Sequence, residues 1–109
     1  MNNDIILECI LLITSLLPKL RNALGFTQKD FSGLIGISRQ SLIELEHQNR
    51  KITRPVLIAI VSYFSLHKET AIILYNYGLY NNEYIQLLGF NPDLIGRIYK
   101  IKKEQNLNG

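Results

Sequence analysis

The 109-residue chain has no tryptophan, one methionine and a single cysteine, Cys9. One thiol excludes an intrachain disulfide and a four-thiolate zinc centre. It suits a reducing compartment, and a cytoplasmic location is expected. Histidine is nearly as scarce: His47 and His67 stand apart from each other and from any metal-ligand cluster. No paired carboxylates, Cys–His couple or phosphate-cradling glycine loop occurs, so neither an enzyme nor a bound cofactor or small-molecule ligand is expected. The chain also lacks a low-complexity tract, a long linker and an internal repeat. Its longest apolar stretch, Ile5–Leu17, contains Glu8 and follows Asp4 rather than a basic segment. It falls short of the roughly 20 residues that span a bilayer. Neither a membrane span nor a secretory leader is expected there.

What remains is an ordinary globular composition, 47% hydrophobic and 19% charged, of a size for one modest core. Net charge is only +3, but it is uneven. Lys19, Arg21, Lys29, Arg39, Arg50, Lys51 and Arg54 face only Asp30, Glu44 and Glu46 over the same stretch. Arg97, Lys100, Lys102 and Lys103 form a second basic group. Local basic excess favours a polyanionic partner.

No strand signal is apparent, and the periodicity predicts an all-α compact bundle of short helices. Ile6, Ile10, Ile13, Leu17, Leu20 and Leu24 form one helical stripe. Pro18 interrupts it, and a kink or restart is expected there, because proline removes a donor and crowds the preceding turn. Gly25 ends this helix. Thr27 opens the next with a capping box closed by Asp30, and Phe31, Leu34 and Ile35 supply its buried face. Gly36 stops it, and Ser38 caps a third helix. Residues 47–53 read as a polar connector. Pro55 then starts a helix over Val56–Phe64, another begins near Leu66 and stops near Gly78, and a short one runs from Asn82 to Leu88. Asn91-Pro92-Asp93 opens a last helix reaching about Glu104.

Two short helices joined by a tight glycine-containing turn, Gly36-Ile37-Ser38, have the form of a helix-turn-helix. Ser32 and Gly33 are the small residues expected where the helices cross, with Leu34, Ile37, Leu42 and Leu45 locking the pair. Leu42 and Leu45 point inward, which leaves Arg39, Gln40, Ile43, Glu44 and His47 on the outer side. A helix lying in the major groove reads base edges mainly with its N-terminal residues. Arg39 can bridge guanine O6 and N7, and Gln40 can pair with adenine N6 and N7. Ser41 can reach a base or a phosphate. Ile43 suits a thymine methyl, and Glu44 suits cytosine N4 or the orientation of Arg39. His47 belongs to the helix end. Lys29, Ser38, Arg50, Lys51 and Arg54 are candidate phosphate contacts, which position without reading sequence.

The run LRNALGFTQKDFSGLIGISRQSLIELE, supported by NRKITRP and the apolar helix after it, resembles the Cro/phage-repressor-like, XRE-type family of DNA-binding regulators over residues 17–64. The chain departs from the family pattern at Ser32, where alanine is common, and at His47-Gln48, where Asn-Gly is frequent. The resemblance implies a lambda-repressor-like DNA-binding domain over residues 1–78, with the helix-turn-helix unit at 27–47. Residues 79–109 then form a C-terminal helical extension of the same globule. It also implies that Gln28 contacts the DNA backbone, and that Arg21 pairs with Glu46 to set the angle of the reading helix. The function implied is a transcriptional regulator, a repressor in view of the little length left for another domain. Its partner is a double-stranded DNA operator. Tyr75, Tyr77, Tyr80, Tyr84 and the apolar residues of 87–101 offer a face for a homodimer. A different class of function is also compatible: a protein-interaction module, such as an antitoxin or co-regulator, with apolar Ile43 as its anchor.

Overall fold

The computed structural model describes residues 2–48 and 51–89, together with Lys100 and Lys103. Among these the fold is all-α: α1 (Asn2–Ala23), α2 (Gln28–Ile35), α3 (Arg39–Glu46), α4 (Arg54–Ser65), α5 (Lys68–Asn76) and α6 (Asn82–Leu88). The expected last helix lies outside the described residues, apart from Lys100 and Lys103, which are helical and exposed.

α1 is the beam on which α3, α4, α5 and α6 pack, and α2 packs on α3 and α4. Ile13, Leu17 and Leu20 of its stripe are fully buried, joined by Cys9, Leu16 and Thr14. Burial and the neighbouring Glu8 push the Cys9 thiol up to about 11, so it is an inert, protonated core group. The helix does not restart at Pro18; it continues through it to Ala23. Most helical stability in a protein comes from packing an apolar face. Leu16, Leu17 and Leu20, buried on both sides of the proline, hold the backbone helical despite the lost donor.

Short-range chemistry sets the other boundaries. Thr27 and Asp30 form the reciprocal capping box of α2. Ser38, Thr53 and Asn81 each accept a backbone N–H three residues on, opening α3, α4 and α6. The Thr53 cap brings Arg54 and Pro55 inside α4, which therefore starts two residues before Val56. Gly36 has φ +75°, and Ile37 N–H donates to the Ser32 carbonyl across it at 3.0 Å. A residue with a Cβ is strained in that left-handed conformation, so the turn between α2 and α3 calls for glycine.

Among the described residues the core is one continuous cluster drawn from each of α1–α6 and from connector residues including Ile52. At its centre Phe31 of α2 stacks on Phe64 of α4, with ring centroids 5.0 Å apart. Phe26 and Tyr63 close around Phe31. Polar groups buried nearby are satisfied: Thr70 Oγ1 donates to the Phe64 carbonyl, and Ser65 Oγ lies 2.7 Å from the Tyr80 hydroxyl. Leu79, Tyr80, Tyr84 and Leu88 enter the same cluster. The segment after residue 78 is thus continuous with the rest of the core as far as Leu88.

Two packing expectations are corrected. Leu34 is 53% exposed and does not lock α2 to α3. It faces away because Phe31 and Ser32 take the buried side of that short helix. Gly33 is exposed too, and a Cβ added there meets nothing within 4 Å, so the small residue at the crossing is Ser32 alone.

Candidate nucleic-acid interface

α3 divides its side chains between frame and surface. Leu42 and Leu45 are buried. Arg39 and Gln40, in the first turn, are exposed, and Ser41, Ile43 and Glu44 are half-buried. Gln40 Nε2 reaches Glu44 Oε1 at 3.5 Å, one turn along the same face. Ser38 Oγ accepts the Ser41 backbone N–H at 3.0 Å and donates to Ser41 Oγ at 2.8 Å. The Ser41 hydroxyl keeps its own proton for a further partner. His47 caps the helix end, with Nδ1 3.0 Å from the Ile43 carbonyl.

The far end of α3 is tied down by a charged network. Arg21 Nε donates to Glu46 Oε2 at 2.8 Å and Arg21 Nη2 donates to Oε1 at 3.1 Å. This two-pronged geometry is the strongest form of the pair. Arg21 Nη1 also donates to the Phe26 carbonyl at 3.1 Å, and Gln28 Nε2 donates to Glu46 Oε1 at 3.1 Å. Side-chain exposures of 13% for Arg21 and 5% for Glu46 put the pair largely out of water. The Arg21–Glu46 pair therefore gathers α1, the turn after it, and the start of α2 onto the end of α3.

The expected phosphate contacts fall into three groups. Lys29, Ser38 and Lys51 are exposed. Arg50 lies outside the described residues. Gln28 and Arg54 have their side chains engaged by other parts of the chain: Gln28 on Glu46, and exposed Arg54 through Nη2 donating to the Leu87 carbonyl at the end of α6. The Gln28 backbone amide still stands at the positive N-terminus of α2.

One participant was not visible in the sequence. Gln48, just past the cap of α3, has φ +61° and donates through Nε2 to the Leu11 carbonyl and to Thr14 Oγ1, both at 3.2 Å. The only hint was its place in the dipeptide that departs from Asn-Gly. Among the described residues no single helix is long and apolar enough to cross a membrane.

No curated protein and no solved structure matches the chain. A model of the helix-turn-helix domain family does, over residues 14–95, from the middle of α1 past the end of α6. With that match over well more than half its length, and with α2, the Gly36 turn and α3 in the corresponding geometry, the chain belongs to the XRE-like helix-turn-helix domain family.

Proposed function

We infer from membership of this family that the protein is a DNA-binding regulator. We propose that the protein is a sequence-specific transcriptional repressor that inserts α3 into the major groove of its operator. The carrying observation is that Arg39 and Gln40 are exposed on the first turn of a helix whose other end is tied to α1. Arg39 reads a guanine and Gln40 an adenine; Ser41, Ile43 and Glu44 complete the base-reading face. Lys29, Ser38, Lys51 and Arg50 meet phosphates, along with Arg54 if its guanidinium leaves Leu87, and the α2 N-terminus at Gln28 does so through its amide. Repression requires only occupancy of the operator. In a homodimer the extension 79–109, part of the same globular unit as 1–78, supplies the contact between protomers, and the pair covers two half-sites.

Selection from a random duplex library tests this reading. A palindromic consensus with half-site centres about 34 Å apart supports both DNA reading and the dimer. Affinity for that consensus falls steeply with salt, as phosphate contacts release counterions. The interaction-module reading has one observation in its favour: Ile43 and exposed Leu34 are apolar groups on or beside the helix-turn-helix. Absence of any enriched sequence favours that reading instead.

A further inference from the structure

Gln48 is the one non-glycine with positive φ among the described residues, and it sits where a helix exit most readily accepts glycine. A left-handed glutamine persists only where its surroundings hold it. Here the side chain does so. The amide has two N–H groups, and both are directed at α1: one to the Leu11 carbonyl and one to Thr14 Oγ1. The proton inventory closes, because the buried Thr14 hydroxyl donates its own proton to the Ile10 carbonyl at 2.8 Å and accepts from Gln48. The Leu11 carbonyl can only accept, which sets the amide with nitrogen toward α1.

The position of this contact relative to Arg21–Glu46 gives it a consequence. Both ties leave the end of α3 from nearly the same place, residues 46 and 48, but they land on α1 seven to ten residues apart. At 1.5 Å per residue that is a base of about 10–15 Å. A single tie lets a short helix swing about it, whereas two ties to separated points on one rigid helix remove that swing. We propose that Gln48 is a positioning residue that, with Arg21 and Glu46, braces α3 against α1 and so sharpens base discrimination without touching DNA. The inference rests on the DNA-reading function proposed above.

The test compares wild type, Gln48→Gly and Thr14→Val on the operator selected from a random library and on a random duplex. Gln48→Gly removes the amide and the left-handed strain together, so its melting temperature stays within a few degrees of wild type. Operator affinity falls roughly three- to tenfold, the worth of one or two neutral hydrogen bonds, while affinity for random duplex is unchanged. Thr14→Val, which leaves the bond to the Leu11 carbonyl, gives a smaller narrowing of discrimination, and the double variant is no worse than Gln48→Gly alone. Wild-type discrimination in Gln48→Gly overturns the proposal, as does an equal loss on both duplexes that tracks a fall in melting temperature. If wild type enriches no sequence, the DNA reading fails, and amide hydrogen exchange then decides the brace. Faster exchange at Leu45–His47 in Gln48→Gly, with α1 unchanged, supports it, and unchanged exchange there overturns it.

Discussion

The two ends of α3 are built on opposite plans. At its C-terminal end Glu46 accepts from Arg21 and Gln28, and the next residues are tied to α1 through Gln48. At its N-terminal end the helix is held by its own Ser38 cap, with Arg39 and Gln40 in solvent. A recognition element needs this asymmetry. Side chains that must meet a partner stay in solvent, with Gln40 holding only a long, exposed bond to Glu44, while the frame that aims them is satisfied internally. Polar residues at the anchored end therefore behave as structure, and those at the open end as surface.

Mutations should separate the ends. Arg21→Ala leaves the Glu46 carboxylate nearly buried with only Gln28 as its donor, and is expected to cost about 3–5 kcal/mol of stability, read by denaturant unfolding. An unshifted midpoint would mean that the two ends do not differ in this way. Arg39→Ala should do the reverse: unfolding is unchanged, and roughly 1–3 kcal/mol of discrimination is lost at a single base of the operator. Competition binding against operators varied at each position measures it. Ser38→Ala tests the boundary between the plans. Loss of the cap is expected to destabilise by about 1 kcal/mol and to weaken binding to all duplexes alike. Leu34→Ser, on the exposed face of α2, should change stability by less than about 0.5 kcal/mol. A larger fall would show that Leu34 is packed.

Much of the molecule was legible before folding was considered. The stripe of α1, the Thr27–Asp30 box, the Gly36 turn and the Ser38 cap are local, since each needs residues within a turn or two of one another. Helix boundaries followed from them to within about two residues at α4. Leu42 and Leu45 were assigned inward by spacing alone, and both are buried. Leu34 shows the limit of that approach. Its position fits the apolar face of α2, yet an eight-residue helix has only one narrow buried side, and Phe31 with Ser32 occupies it.

The sequence by itself determined an all-helical chain with a helix-turn-helix at its centre and a third helix whose first turn carries Arg39 and Gln40. Caps, turns and amphipathic spacing are short-range properties. Only the tertiary structure decided that α1 runs unbroken through Pro18, that the Gln28 and Arg54 side chains bond to Glu46 and Leu87, and that Gln48 takes a left-handed conformation to reach α1. Each of these depends on a partner far along the chain. Whether a polar side chain is free or already satisfied is a property of that pair, and it exists only once the helices are packed.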